Sequence, residues 1–245
     1  MLRKLSLLVP LLSLGFLSVV HATSTLIPGI DLGSNEPANV SNSLSIIVLI
    51  TVLSIAPAIL VMMTSFTRII VVLGFTRNAL GTQQSPPNQV FIGLALFLTF
   101  FIMGPVFTQI NHNALQPYMD GKLTQQQAFK EASSPLKEFM AKQTREKDLQ
   151  IFLDYAKIKK PEKITDIPIT ALVPAYAISE LKTAFQMGFV IFVPFLVIDM
   201  IVSSVLMSMG MMMLPPVMIS LPFKILLFVL VDGWSLIVKS LLMSF

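Results

Sequence analysis

The chain has 245 residues, 54% of them hydrophobic and only 12% charged, and its mean hydropathy is +0.79. Soluble domains carry about 25% charged residues, so a cytosolic globular domain is excluded for want of polar cover. A net charge of +4, no cysteine and only two histidines, His21 and His112, exclude a nucleic-acid binder, disulfides and Cys- or His-rich metal sites.

The charges are unevenly placed. Of thirty, twenty lie between Asp120 and Lys182, eleven basic and nine acidic. This is the profile of an integral membrane protein with one polar insert. No cofactor is expected.

Arg3 and Lys4 precede an apolar run, Leu5 to Val20, with small residues at −3 and −1, Val20 and Ala22. Basic, apolar and small-residue regions in that order describe a secretory signal peptide, residues 1–22, cleaved after Ala22. The run is 16 residues long and holds Pro10 and Gly15, short of the about 20 residues a span needs. An uncleaved anchor is the alternative. A polar extracytoplasmic segment, residues 23–43, follows.

Four apolar stretches come next: about Leu44 to Met63, Val90 to Phe107, Met187 to Met213 and Val217 to Leu242. Each reaches the length of a span, and in lipid each must be helical, because the backbone has only itself to bond with. The first pair forms a helical hairpin, residues 44–110. Its first helix is expected to continue past Met63 to a stop at Gly81, with Pro57 as a kink. Asn88 is expected to cap the second helix. Arg68 and Arg77 occur in the connection without an acid, which places it in the cytoplasm by the positive-inside rule. The insert, residues 111–183, is then extracytoplasmic.

The insert reads as helical. Thr124 and Gln127 form a capping-box pattern. Ser134 and Pro135 read as a cap and first helical residue. Leu149, Phe152, Leu153 and Ala156 share one apolar face. A further helix begins near Pro174 and continues into the third apolar stretch. The last two stretches form a second hairpin, residues 184–245, turning at Pro215 and Pro216.

Three charges are set within apolar sequence in this second hairpin: Asp199, Lys224 and Asp232. Each costs about 2.5–3.5 kcal/mol at a helix centre, against about 0.3–0.6 gained per Leu, Ile, Phe or Val. Residues 217–239 hold fourteen such apolar side chains, so their gain of about 6 kcal/mol is nearly cancelled by Lys224 and Asp232. That helix needs polar partners. Hairpin geometry puts Phe228 opposite Asp199, with Lys224 and Asp232 one turn to either side. A Lys224–Asp199 or Lys224–Asp232 pair is therefore expected, within or between chains. A proton or ion relay is the functional alternative.

Met209, Met211, Met212 and Met213, with Met207, crowd the turn before Pro215. Thioethers adapt to varied shapes, so such a turn ringing an axis would make a compliant apolar gasket. The plainer use is core filling. Ser204, Ser208 and Gly210 give a small-residue stripe for close helix packing.

Four strings carry a resemblance: MTSFTRIIVVLGFTRNALGTQQSPPNQV at Met63–Val90, PAYAISELKTAFQMGF at Pro174–Phe189, PFLVIDMIVSSVLMSMGMMMLPP at Pro194–Pro216, and PFKILLFVLVDGW at Pro222–Trp234. Through them the chain resembles the FliP/SctR family of type III secretion export-gate subunits. The resemblance implies an all-α membrane protein, one of five like subunits in a helical gate with FliQ and FliR. FlhA and FlhB would neighbour it, in the bacterial inner membrane at the flagellar basal body. Exported proteins would be its substrates, and Met211, Met212 and Met213 would seal the closed pore. GTQQ at Gly81–Gln84 leans to the flagellar branch over the virulence injectisome.

Rival classes fit less well. An intramembrane aspartyl protease would need Gly-x-Gly-Asp, and Asp232 follows Val231 instead, so no enzyme is expected. A solute transporter would show two related halves, and no internal repeat is visible. A non-conducting scaffold is the remaining alternative.

Overall fold

A computed structural model of the protein describes residues 47–245, apart from 48, 49, 52, 56, 83, 84, 160, 162 and 212. The signal peptide, its cleavage at Ala22, the segment 23–43 and Met212 lie outside the described residues. The chain divides into two compact units, residues 1–55 and 56–245. In the first, the described residues are helical and exposed. Thr51 and Ser54 turn their hydroxyls back onto the carbonyls of Ile47 and Ile50, each at 2.8 Å.

The second unit is all-α, with no strand among the described residues. Its helices are α1 Pro57–Met63, α2 Phe66–Leu80, α3 Asn88–Ile110, α4 Gln116–Met119, α5 Gln125–Gln143, α6 Glu146–Tyr155, α7 Ile169–Ser208, α8 Pro216–Leu230 and α9 Gly233–Leu242. A π-helical turn, Asn111–Leu115, joins α3 to α4. The helices Asn88–Met119 and Ile169–Ser208 are long and apolar enough to cross a membrane. Two bent pairs, α1 with α2 and α8 with α9, pass the same test if each counts as one span.

α2 organises the unit. It buries Ile69, Val72, Leu73, Thr76, Ala79 and Leu80, a three-and-four spacing that keeps one stripe inward. Its principal neighbour is α7. The buried residues of α7 include Leu172, Ala175, Tyr176, Ser179, Glu180, Ala184 and Gly188. The small members let the two backbones approach. Gly188 shows how closely: a Cβ there would stand 2.5 Å from the ring of Phe75. Phe75 also meets Phe185 edge-on at 5.2 Å. The ring fills the space that the missing side chain leaves.

The expected continuous first helix is instead bent by 78° between α1 and α2. The reason lies in hydroxyls rather than in Pro57. Thr64 and Thr67 donate to the carbonyls of Leu60 and Val61, so the last turn of α1 is closed by side chains and the ladder stops there. The fourth apolar stretch is also broken, by 62° between α8 and α9. Asp232 lies at that break with a left-handed φ of 51°, which aspartate tolerates better than most residues.

Helix ends follow local chemistry. Gly81 closes α2 with φ 76°, its amide bonded to Asn78 O, as the αL stop requires. Thr124 and Gln127 form the reciprocal capping box of α5. Three expected starts are corrected. Asn88 is the first residue of α3 rather than its cap, because its Oδ1 accepts from Arg77 at 2.5 Å. Pro135 lies inside α5, buried among neighbours that hold the helix through it. α7 begins at Ile169, with Pro168 as its extended cap residue, and Pro174 lies within it.

Candidate functional site: two buried ion pairs and an exposed methionine turn

The first polar centre was not expected from sequence. Arg68, read there as a loop charge that fixes topology, is 2% exposed. It lies in the first turn of α2 and reaches Glu180 on α7, itself fully buried. Arg68 Nε donates to Glu180 Oε2 at 2.9 Å, and Nη2 donates to Oε1. This is the planar two-bond fit that arginine makes with a carboxylate. The remaining donors are used as well. Nη2 donates to Gln143 Oε1 at 3.0 Å, and Nη1 to Ser244 O at 2.6 Å and Ser244 Oγ at 3.1 Å. The Phe245 ring covers the guanidinium, 3.9 Å from its carbon to the ring centre, and stacks on Phe139 at 6.1 Å. One cation therefore ties α2, α5, α7 and the last two residues together. Nearby, Tyr176 Oη donates to Thr64 O at 2.8 Å, pinning the α1–α2 bend to α7.

Burial of Arg68 removes it from the positive-inside count, which concerns loop charges. Arg77 is half-buried, bonded to Asn88 with its guanidinium 5.4 Å from the Phe91 ring. Sequence could not reveal Glu180, Gln143, Ser244 or Phe245 as partners, since they lie far from Arg68 along the chain. The one available signal was Glu180 itself, which lies on the small-residue stripe of α7.

The second centre unites Asp199 and Lys224. Lys224 Nζ donates to Asp199 Oδ2 at 2.6 Å and to Ala79 O at 3.2 Å. Ser220 Oγ donates to Asp199 Oδ1 at 2.5 Å. Lys224 is 3% exposed and Asp199 22%. The bond to Ala79 O sets a cation at the C-terminal end of α2, where the helix dipole favours one. The expected register is corrected: Asp199 faces Ser220 and Lys224, not Phe228. α7 ends at Ser208 and α8 starts at Pro216, so the turn is longer than a Pro-Pro corner and slides the partner. Asp232 does not join this centre. It is exposed, and its side chain makes no cap bond.

The methionine turn projects outward. Met209 is 66% exposed, Met211 39% and Met213 98%. A left-handed Gly210, φ 75°, leads the chain off α7. Nothing in the protein lies within 4 Å of the place a Cβ would take there. Ser204 and Ser208 are exposed and donate to carbonyls of their own helix. The small stripe is thus exposed among the described residues.

These features define an all-α membrane protein whose apolar helices carry charges paired inside the protein. The FliP family pattern matches residues 49–241. The chain is 66% identical to the flagellar biosynthetic protein FliP of Bacillus subtilis over 212 residues, 86% of this chain and 96% of that protein. It is 49% identical to FliP of Pectobacterium carotovorum over 96% of this chain and 92% of that protein. To FliP of Aquifex aeolicus it is also 49% identical, over 89% and 92%. The chain belongs to the FliP family.

Proposed function

We propose that the protein is a pore-forming subunit of the flagellar protein export gate in the bacterial inner membrane. Unfolded flagellar proteins are its substrates, and its methionine turn is the gasket of the closed pore. The observation that carries this reading is the outward apolar surface around the turn. Met209, Met211 and Met213 are exposed, while the charges beside them, Asp199 and Lys224, are paired inward. Of the most apolar 18-residue stretch of α7, only 11% of residues are buried within one protomer. Such a surface fits neighbouring subunits as well as lipid, and lone exposed methionines in a tight turn fit a deformable seal.

In this reading five copies assemble with FliQ and FliR, next to FlhA and FlhB, at the flagellar basal body and extend into the periplasm. The chain performs no chemistry of its own. The virulence injectisome gate and a non-conducting scaffold are the competing readings, and names of the relatives favour the flagellar one.

The test is permeability. Replacing Met211, Met212 and Met213 with alanine is expected to raise leakage of small ions and sugars across the inner membrane several-fold, with the purified complex unchanged in size. Unchanged leakage from an intact complex would contradict the seal.

A further inference from the structure

A cleft of about 660 Å³ lies between α7, α8 and α9. Its wall on α7 runs from Gln186 to Phe195, and its wall on α9 from Ser240 to Gly233. The two walls run in opposite directions. Glu180 and Ser244 both meet Arg68, while Phe195 lies 6.3 Å from Phe228, between ring centres. Gln186 and Ser240 therefore share one end of the cleft, and Phe195 and Gly233 the other. Gln186 and Ser240 are also the two polar side chains that line it. The cleft is thus apolar along its length and polar at one end.

A cation covers the polar end. Arg145 Nη2 donates to Gln186 Oε1 at 2.7 Å and to Thr183 Oγ1 at 3.4 Å. Both acceptors are neutral, and Nε and Nη1 find no acceptor among the described residues. Lys182 lies one turn before Gln186 on the same face of α7. It is exposed and bonds to nothing among the described residues. The acids of this region are used elsewhere. Asp148 accepts from Ser179, and Glu180 from Arg68. Glu146 lines a different cavity, with Leu149 and Leu153.

We infer that this cleft holds one acyl chain of an anionic membrane phospholipid, whose headgroup is met by Arg145 and Lys182. Length supports the match. Nine residues from Gln186 to Phe195 rise about 14 Å, and one leaflet of a hydrocarbon core about 30 Å thick is about 15 Å deep. Charge supports it too. A phospholipid is apolar through the depth of its leaflet and charged at one end, as the cleft requires. Arginine offers phosphate a planar pair of donors, and basic sites beside apolar helices select anionic headgroups. An apolar helix of a partner would fill the cleft but would leave the cations at its end unanswered. The lipid belongs to the leaflet on the side of the insert, since Arg145 opens α6. The inference stands on the membrane class of the protein and not on the export role.

Photo-labelling tests it. The full-length assembly is placed in phosphatidylcholine nanodiscs containing phosphatidylglycerol with a diazirine at the end of one acyl chain, and labelled peptides are mapped by mass spectrometry. Adducts are expected on the cleft walls, residues 191–195 and 233–237. The same diazirine carried by phosphatidylcholine is expected to label these walls at least about five-fold less. Lys182→Gln should lower the phosphatidylglycerol adduct about five-fold, and Arg145→Gln/Lys182→Gln further. Leu236→Trp, which fills the cleft, should abolish it. Lys182→Gln carries the test by itself if the double variant fails to assemble, because that side chain holds no bond in the fold. Equal labelling by the two lipids overturns the inference, as does labelling unchanged in Lys182→Gln. Absence of adducts from the walls in the wild-type assembly overturns it as well, and would mean that another chain covers the cleft.

Discussion

Replacing Glu180 with leucine is expected to destabilise the protein by about 3–5 kcal/mol, the usual cost of stranding one partner of a buried ion pair. Arg68 would keep Gln143 and Ser244 as acceptors, but both are neutral. Arg68→Leu is expected to cost a similar amount, because Glu180 is fully buried and would lose its charge-assisted bonds. The double variant Arg68→Leu/Glu180→Leu should be milder than either single one, since it leaves no buried charge. Urea unfolding in detergent micelles, followed by circular dichroism, reads all three. Additive losses in the double variant would mean that the two side chains act separately.

The same centre marks where sequence reading stopped. The apolar stretches were legible because a span must be continuous and long. Gly81 and the Thr124–Gln127 box were legible because caps are local. Arg68 was misread because its partner is 112 positions away, and a lone arginine near a turn looks like a solvated charge. The 78° bend was missed for a related reason. Two threonine hydroxyls stop α1, and threonine within an apolar helix is usually harmless. The Asp199–Lys224 contact was within reach, since hairpin geometry brings those positions close. Its register was not, because the length of the methionine turn depends on how far α7 persists beyond Ser204.

Asp199→Leu is expected to be more damaging than Lys224→Met. The lysine is nearly fully buried and the aspartate is partly exposed. Removing Asp199 strands an ammonium with only Ala79 O to accept from it, at about 3–5 kcal/mol. Removing Lys224 leaves a carboxylate that keeps Ser220 and some water, at about 1–3 kcal/mol. Thermal unfolding of the purified protein in micelles gives the order. The double variant Asp199→Leu/Lys224→Met should recover part of the larger loss. Equal stability of all variants, with normal assembly, would show that the pair holds nothing together and would return the relay alternative to contention.

Both ion pairs explain how a chain so poor in charge keeps its apolar helices in one arrangement. Arg68 fixes α2 against α5 and α7, and Lys224 fixes the far end of α2 against α7 and α8. The methionine turn leaves from the end of α7, beyond the second pair. In the proposed gate this rigid frame holds the seal, and only the turn must deform when a substrate passes.

That division of labour is tested most directly by placing a photo-crosslinking amino acid at Met213, and separately at Phe185 on the frame, in cells with an export substrate stalled in transit. Crosslinks from Met213 to the stalled chain, with none from Phe185, are the expected result. A Met213 probe that never captures the stalled chain, while export proceeds normally, would contradict a methionine turn lining the path.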